Sequence, residues 1–331
     1  MKKVLVLGGG GFIGGHLVKR LVSNGDWVRS VDLKPHQYGA SPDEFILGDL
    51  SDFSFCESII YKDSSTEFDE VYQLAADMGG AGYIFSGDND AAVMSNSASI
   101  NINVLKSLNL KNSISGINRT KVFYSSSACI YPEEKQLEIQ NLGLKEIDAY
   151  PANPDSEYGW EKLFSERLYL SFARNFKIPV RIARFHNIYG PEGTWEGGRE
   201  KAPAAICRKV ALAGKDGAIQ VWGDGLQTRS FLFIEDCLDA VESLMGSEFN
   251  QPINIGSEEM VSINEMVRII SSFEEKKLII EHINGPQGVR GRNSNNELME
   301  KTLNHKYRYS LTEGLRETYF WILSQLSKSK L

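Results

Sequence analysis

The sequence predicts an α/β fold, in which helices cover both faces of a doubly wound parallel sheet. Two observations favour this fold. Short β-branched or apolar runs, typical of strands that are buried on both faces, alternate with amphipathic helical patterns. The first of these runs also leads directly into a glycine-rich turn and then a helix. Because each helix carries the chain back across the sheet, consecutive strands are expected to lie parallel.

Five strands and two helices of this sheet can be placed in the sequence. The helix predicted over residues 12–23 puts Ile13, Leu17 and Leu21 on one face, as expected for packing against a sheet. A second long amphipathic pattern covers residues 156–175. Buried strands are predicted at residues 3–7, 27–32, 70–75, 121–126 and 180–185.

The pattern changes after about His186, where loops rich in Gly and Pro alternate with short helices and strands. We expect residues 1–185 to form the first domain and residues 186–331 to form a smaller mixed α/β lobe. The apolar run and helical pattern over residues 231–245 could return to the first domain. The two parts are therefore predicted to be interleaved, with a returning segment near 231–255.

Composition excludes several classes of function. The chain has 331 residues and carries 36 basic against 43 acidic side chains, a net charge of -7. Such a chain has no global field that would attract nucleic acid or an anionic membrane, so neither is an expected partner. The four cysteines include no Cys-x-x-Cys pair and the five histidines show no metal-ligand spacing. We expect no metal site, and a cytoplasmic protein with reduced thiols.

The glycine-rich turn predicts a dinucleotide site. Gly8, Gly11 and Gly14 lie between the first strand and the first helix, a context in which glycines allow a pyrophosphate to approach the helix N-terminus. Phe12 and Ile13 stand between the last two glycines and share this predicted contact. A plain strand-to-helix turn is the alternative interpretation. Residues 1–185 are accordingly predicted to be a Rossmann-type domain.

Two further positions indicate which dinucleotide is bound. Asp32 ends the second strand, 18 residues after Gly14, where a carboxylate accepts hydrogen bonds from ribose hydroxyls and repels a 2′-phosphate. This favours NAD over NADP, although Lys34 lies close by. Asp49 and Leu50 follow the expected third strand and resemble the pair that holds adenine in short-chain dehydrogenases/reductases.

A catalytic set follows from Tyr158 and Lys162, whose spacing of four places them on one face of the second helix. With Ser127 just past a predicted strand end, they reproduce the Ser, Tyr and Lys set of the short-chain dehydrogenases/reductases. A free tyrosine has a pKa of about 10, so a role as a base near neutrality requires cations that favour the phenolate. Lys162 and a nicotinamide ring are the candidates.

Six long segments carry a more specific resemblance. They are residues 75–84, 126–138, 184–209, 222–231, 254–266 and 288–294, among them AADMGGAGYI and SSACIYPEEKQLE. The chain is similar in these segments to the GDP-mannose 3,5-epimerases of plants, a family of extended short-chain dehydrogenases/reductases. The resemblance implies oxidation of the sugar at carbon 4, epimerisation beside the resulting ketone, and reduction of carbon 4 with the same hydride. It also implies that residues 186–331 bind the substrate.

Inversion of a carbon requires acid/base groups on both faces of the ring, and the resemblance assigns this role to Cys129 and Lys201. By themselves they would be interpreted as a buried inert thiol and a surface lysine. Cys129 lies two residues after Ser127, however, beside the predicted position of the sugar. In related 4,6-dehydratases, both residues after the hydroxyl are acidic, whereas here they are Ala128 and Cys129. A dehydratase would therefore lack its acid and base.

Substrate binding is predicted for a locally basic region. Between Arg199 and Arg229 lie six cations and three acids, and arginine suits a bidentate grip on phosphate oxygens. A solvated charged surface is the alternative. The resemblance assigns substrate contacts to Gly79, Ser127, Ala128, Cys129, Asn187, Glu200, Lys201, Ala202, Lys209, Gln227, Thr228, Arg229 and Arg292.

Several alternatives stay open from the sequence. The substrate could be GDP-mannose or a closely related GDP-sugar, and inversion could affect carbons 3 and 5 or carbon 5 alone. The products would be GDP-L-galactose and, after inversion at carbon 5 only, GDP-L-gulose. A different class of function is an inactive NAD-binding regulator, against which the intact catalytic set argues. The resemblance also implies a homodimer.

Overall fold

The computed structural model describes residues 1–61, 67–115, 119–285 and 288–328. The strands are β1 Lys3–Leu7, β2 Trp27–Asp32, β3 Glu44–Leu47, β4 Glu70–Gln73, β5 Lys121–Ser127, β6 Val180–Phe185, β7 Ile188–Tyr189, β8 Ala218–Trp222, β9 Thr228–Ser230, β10 Leu232–Phe233, β11 Pro252–Ile255, β12 Met260–Ser262, β13 Ile279–Ile283 and β14 Gly291–Arg292. The α-helices are α1 Phe12–Ser23, α2 Phe53–Ile60, α3 Ala81–Ile84, α4 Asp90–Ser115, α5 Glu157–Phe176, α6 Ala202–Leu212, α7 Ile234–Gly246, α8 Ile263–Ser272, α9 Glu297–Leu303 and α10 Leu311–Lys328.

A seven-stranded sheet in the order β11-β6-β5-β4-β1-β2-β3 organises the molecule. Its neighbouring strands all pair in parallel, which confirms the predicted doubly wound α/β fold. The chain builds the sheet outward from β1 in two directions. β2 and β3 lie on one side of β1, and β4 with the later strands lies on the other. The switch point is therefore beside β1. In such sheets, ligands bind in the crevice beyond the carboxyl ends of the strands at this switch point.

The alternation of side chains along β1 builds a core on each face of the sheet. Val4 and Val6 join the larger core, which includes Leu17 of α1 and Leu238 of α7. Leu5 and Leu7 join the second core on the opposite face, with residues of α4 and α5. The apolar run of β1 is continuous because both of its faces are covered.

Most strands of the second half form smaller sheets that are separate from the large one. β8 pairs in parallel with β13, and β9 lies between β12 and β14. The register sets Arg292 of β14 beside Arg229 of β9. Within the segment 231–255, β11 is the last strand of the large sheet, next to β6. The division into residues 1–185 and 186–331 stays a prediction.

One long helix was not predicted from the sequence. α4 extends over Asp90–Ser115 and is rich in Ser and Asn, residues that are typical of caps and turns. The structure buries several of these polar side chains, among them Ser97, Asn101 and Ser107. Asn101, for example, donates to Glu161 and Ser165 of α5. α4 also contributes apolar residues, among them Val104 and Leu108, to the second core, so its buried surface mixes polar and apolar side chains and gives no clear amphipathic pattern. No helix in the described ranges is long and apolar enough to span a membrane.

Candidate active site

The glycine-rich turn forms a narrow cradle at the carboxyl end of β1. Gly8 has a φ of +87°, and a Cβ there would lie 2.6 Å from the backbone nitrogen of Ala75. A Cβ at Gly14 would lie 2.1 Å from the carbonyl oxygen of Gly8. α1 begins at Phe12, so Phe12, Ile13 and Gly14 contribute the N–H groups of its first turn. Backbone packed this closely, at a helix N-terminus, fits the pyrophosphate of a dinucleotide.

Asp32, Asp49 and Leu50 lie on the β2–β3 side of this cradle. Asp32 ends β2, and its carboxylate accepts a hydrogen bond from the backbone N–H of Lys34 at 3.2 Å. Asp49 is exposed and accepts from the backbone N–H of Ser51 at 2.8 Å, whereas the Leu50 side chain is buried. A Cβ at Gly10 would come within 3.0 Å of the Asp32 side chain. Asp32 therefore borders the glycine cradle, as the NAD prediction requires.

The Ser, Tyr and Lys set is brought together by β5 and α5. Ser156 caps α5 by accepting a hydrogen bond from the backbone N–H of Gly159. This first turn of α5 packs tightly on the turn that follows β5, since a Cβ at Gly159 would lie 2.1 Å from the Cys129 carbonyl oxygen. Tyr158 thereby lies close enough to Ser127 for the two hydroxyl groups to interact.

The electrostatics of this set reflect its burial. Burial raises the pKa of Tyr158, the charge of Cys129 adds to the rise, and the hydrogen bond with Ser127 opposes it. Burial also lowers the pKa of Lys162. The Lys162 ammonium lies 5.7 Å from the centroid of the Tyr158 ring and donates to the carbonyl oxygen of Ser125 at 2.9 Å. Lys162 is thus fixed beside Tyr158, as the spacing of four predicts.

Cys129 lies in the 3-10 turn Ala128–Ile130 that directly follows β5. Its backbone N–H donates to the Ser127 hydroxyl oxygen at 3.2 Å, which joins the thiol to the catalytic set. Of the four cysteines, all within the described residues, Cys129 alone is partly exposed, and the other three are buried. Its sulfur accepts a hydrogen bond from Nη1 of Arg292 at 3.1 Å. Cys129 is therefore less enclosed than the other cysteines, although it still packs against the apolar cluster that contains Tyr158.

Lys201 is the N-cap residue of α6. Burial lowers the pKa of its ammonium, and the charge of Cys129 acts in the opposite direction. Lys201 therefore lies close enough to Cys129 for their charges to interact, and it is not a fully solvated surface lysine. A lysine whose pKa falls is better able to exchange a proton near neutrality.

The segment before Lys201 is packed against the loop that contains Gly79. The backbone N–H of Gly80 donates to the Arg199 carbonyl oxygen at 3.1 Å. Glu200 accepts hydrogen bonds from the backbone N–H of Gly198 at 2.7 Å and from Arg208 at 2.9 Å. Gly79 and Glu200 are thus brought to the same side of the site as Lys201.

Two arginines give the site a concentrated positive charge. Arg229 and Arg292 lie side by side on β9 and β14. The pKa of Arg229 is lowered to about 9, mainly by burial and, to a smaller extent, by repulsion from Arg292. An anionic ligand would reduce the repulsion between these two cations, as expected for a site that binds a diphosphate.

The other predicted substrate residues lie around β9 and α6. Asn187, which has a φ of 48°, donates to the Ser230 carbonyl oxygen at 2.9 Å. Gln227 and Thr228 donate to the carbonyl oxygens of Trp222 and Ile139, respectively. Ala202 begins α6, whereas Lys209 lies near its end and donates to the Gln220 carbonyl oxygen at 2.6 Å. Eight residues of helix separate Lys201 from Lys209 by about 12 Å, so Lys209 lies farther from Cys129.

Sequence reasoning missed two residues of the site, Gln136 and Asp155, which both bind Arg292. Asp155 directly precedes the N-cap residue Ser156 of α5. Gln136 belongs to a 3-10 turn. Neither position has a periodic signal, because the partner lies more than a hundred residues away. In the part of the chain that the structure describes, no group of His, Cys, Asp and Glu side chains could hold a metal ion.

Comparisons with known proteins agree with this geometry. Residues 4–256 match the NAD dependent epimerase/dehydratase family. The chain is 49% identical to GDP-mannose 3,5-epimerase from Arabidopsis thaliana over 99% of its own length and 84% of that protein. It is 48% identical to GDP-mannose 3,5-epimerase 1 from Oryza sativa subsp. indica, with 99% and 83% covered. Among solved structures it resembles Pal from Bacillus thuringiensis with a TM-score of 0.82, 28% identity, and coverage of 98% of this chain and 99% of that one.

Proposed function

Because the chain belongs to the NAD dependent epimerase/dehydratase family and is nearly half identical to plant GDP-mannose 3,5-epimerases along almost its whole length, we propose that it epimerises GDP-mannose at carbons 3 and 5. The products are GDP-L-galactose and, after inversion at carbon 5 only, GDP-L-gulose. One observation carries the proposal. The Ser127, Tyr158 and Lys162 set is joined to two further proton-exchanging groups, Cys129 and Lys201, in one site.

The cofactor is NAD, and the glycine cradle with Asp32 at its border fits it. Bound there, NAD would supply the hydride acceptor and later the hydride donor for carbon 4. Tyr158 takes the proton of the carbon 4 hydroxyl during oxidation and gives it back during reduction. Ser127 hydrogen-bonds to the same oxygen, and Lys162 supports the phenolate form of Tyr158.

The ketone at carbon 4 makes the neighbouring C–H bonds acidic, because the electron pair left behind is delocalised onto the ketone oxygen as an enolate. Cys129 and Lys201 exchange protons with carbons 3 and 5 from opposite faces of the ring. One of them removes a proton and the other delivers one, which inverts the carbon. The protein thus needs no net oxidant, since the hydride returns to carbon 4.

The GDP part of the substrate lies on the basic side of the site. Arg229 and Arg292 counter the charge of the diphosphate, and Lys209 extends this region along α6. Gly79, Ala128, Asn187, Glu200, Ala202, Gln227 and Thr228 complete the binding surface. The close approach of Gly80 to the Glu200 carbonyl oxygen supports the proposal that Gly79 lies beside Lys201 and the sugar.

Incubation of the purified protein with GDP-mannose in heavy water tests the function. Deuterium at carbons 3 and 5 of the products, located by NMR, is the expected result. Deuterium at carbon 5 alone would identify a carbon-5 epimerase, and exchange only with another GDP-sugar would change the substrate. Retention of NAD without turnover of any GDP-sugar would contradict the proposal and favour a regulator.

We further propose a cytoplasmic homodimer. Four free cysteines support a reducing compartment. Trp160 and Phe164, four residues apart on α5, are 39% and 47% exposed. Two aromatic side chains on one helix face support an interface between copies of the chain. Residues 1–185, with the segment near 231–255, would be the NAD-binding domain of each copy, and residues 186–331 its interleaved substrate-binding lobe.

A further inference from the structure

The contacts of Arg292 suggest a role beyond charge. Its side chain is buried, and its guanidinium donates in three directions. Nε donates to the side-chain oxygen of Gln136, Nη2 to Oδ2 of Asp155 at 2.8 Å, and Nη1 to Sγ of Cys129 at 3.1 Å. A guanidinium is planar and rigid, so two anchors determine where the third N–H points. Here it points at the proposed acid/base group.

The anchoring carboxylate is as well buried as the arginine. The side chains of Arg292 and Asp155 are 6% and 4% exposed. A buried ion pair that also donates to a third group holds its geometry far more firmly than an exposed pair does. Arg229, which lies beside Arg292 on the neighbouring strand, donates to the carbonyl oxygens of Thr228 and Val289. Arg292 donates directly to the sulfur.

We propose that Asp155 is a positioning residue that holds Arg292 against Cys129, so that Arg292 aims the sulfur and stabilises its anionic form. The catalytic consequence rests on the proposed function. When the thiolate takes a proton from the sugar carbon, the electron pair of the C–H bond passes to the enolate and the sulfur becomes a thiol. Delivery of a proton reverses these changes. Arg292 keeps its own protons throughout and stabilises the sulfur whenever it is a thiolate.

The reactivity of Cys129 toward iodoacetamide tests this contact without any sugar nucleotide. Iodoacetamide is uncharged and reacts with thiolates. Cys56, Cys207 and Cys237 are buried, so peptide mass spectrometry of the NAD-saturated protein at neutral pH follows Cys129 selectively, with Cys129→Ser as the blank. Failure of the proposed epimerase activity leaves this measurement unaffected, because no turnover is involved.

Arg292→Gln is expected to slow alkylation of Cys129 by about tenfold or more, the size of effect for losing a hydrogen bond to a charged group. Asp155→Ala should slow it as well, because the guanidinium loses an anchor. Asp155→Asn keeps an oxygen that accepts from Nη2 and should restore most of the rate. Arg290→Gln is the matched control: it removes a cation two residues away, whose ion pair is with Asp224 at 3.0 Å, and should react like wild type.

Wild-type rates in Arg292→Gln or in Asp155→Ala would overturn the proposal. So would an Asp155→Asn rate as slow as that of Asp155→Ala, because the carboxylate would then act through its charge and not through its geometry. Alkylation of the three buried cysteines identifies a variant that has unfolded. Since Arg292→Gln and Asp155→Ala break the same contact from its two ends, whichever variant stays folded decides the question.

Discussion

Tyr158 and Cys129 lie close enough for their charges to interact, yet the proposed mechanism gives them separate steps. Tyr158 exchanges a proton with the oxygen on carbon 4, and Cys129 with a neighbouring carbon. Burial raises the pKa of Tyr158 in the protein alone, so the phenolate has to be favoured by cations of the assembled site. Because the two side chains are so close, their roles can be separated only by variants that stop either the oxidation at carbon 4 or the proton exchange at the neighbouring carbon, and leave the other step intact.

Tyr158→Phe should abolish the oxidation of carbon 4 and with it every later step, because phenylalanine cannot accept the hydroxyl proton. In a single-turnover reaction with GDP-mannose, we expect no reduced nicotinamide and no deuterium in the sugar. Tyr150→Phe is the matched control, since Tyr150 is about half exposed and contacts Arg167. Oxidation by Tyr158→Phe at the wild-type rate would contradict the assignment.

Cys129→Ser should leave the nicotinamide chemistry intact while it slows epimerisation by about 10²–10⁴-fold, the usual contribution of a general acid/base group. Serine is similar in size, but its hydroxyl is too weakly acidic to replace the thiol. Lys201→Ala should behave in the same way, with some added loss of substrate binding, and Lys306→Ala, at an exposed lysine, is its control. NMR of products formed in heavy water measures the effect. Deuterium uptake at the wild-type rate in Cys129→Ser would return Cys129 to the role of a packed thiol.

Sequence spacing predicts which candidate site residues lie together where local geometry decides their position. A spacing of four on a helix brings Tyr158 and Lys162 to one face in any context. The contact between Asp155 and Arg292 could not be found in this way, because it depends on β14 lying beside β9 and on the loop before α5. The roles of Cys129 and Lys201 depend on the family resemblance, which the position of Cys129 two residues after Ser127 supports.

At the scale of elements, the glycine turn connects the first strand to cofactor binding. The close approach of Gly14 to the Gly8 carbonyl leaves no space for a side chain, so the turn can form only with glycine there. Strands β1, β2 and β6 were predicted with their observed bounds. β1 is apolar after Lys3, whereas β2 and β6 keep enough apolar and β-branched positions to be recognised although each contains arginine. α4 was missed because Ser and Asn side chains are mixed with the apolar ones on its buried surface.

Gly14→Ala should lower NAD affinity by at least about tenfold, because a Cβ placed 2.1 Å from the Gly8 carbonyl oxygen forces the turn open. The wild-type protein, in contrast, should retain NAD during purification and need little added cofactor. Gly246→Ala is the control, since nothing lies within 4 Å of a Cβ built there. The bound nicotinamide content and a titration with NAD give both values. Equal affinity in wild type and Gly14→Ala, or bound NADP in the wild type, would contradict the cofactor assignment.

At the scale of the whole molecule, the catalytic site takes residues from both halves of the chain. Ser127, Tyr158 and Lys162 belong to the large sheet and its helices, whereas Lys201, Arg229 and Arg292 come from the later segments. The return of β11 to the large sheet ties these segments to β6. Sequence patterns predicted the alternation of strands and helices, but the order of strands depends on which crossovers the later segments make. Short strands such as β9 and β14, of three and two residues, carry too little pattern to predict.

The assembly of two copies can be tested on α5. Trp160 and Phe164 lie on one face of this helix, and in a twofold interface each side chain is buried twice, once in each copy. Burial of a large apolar side chain is worth about 1.5–3 kcal/mol, so Trp160→Glu with Phe164→Glu should convert the dimer to a monomer at micromolar concentration. Light scattering during size-exclusion chromatography measures the mass. Phe320→Glu on α10, where the side chain is 41% exposed, should leave the dimer intact. A double variant that stays dimeric would place the interface elsewhere. A wild-type protein that is a monomer would contradict the homodimer itself.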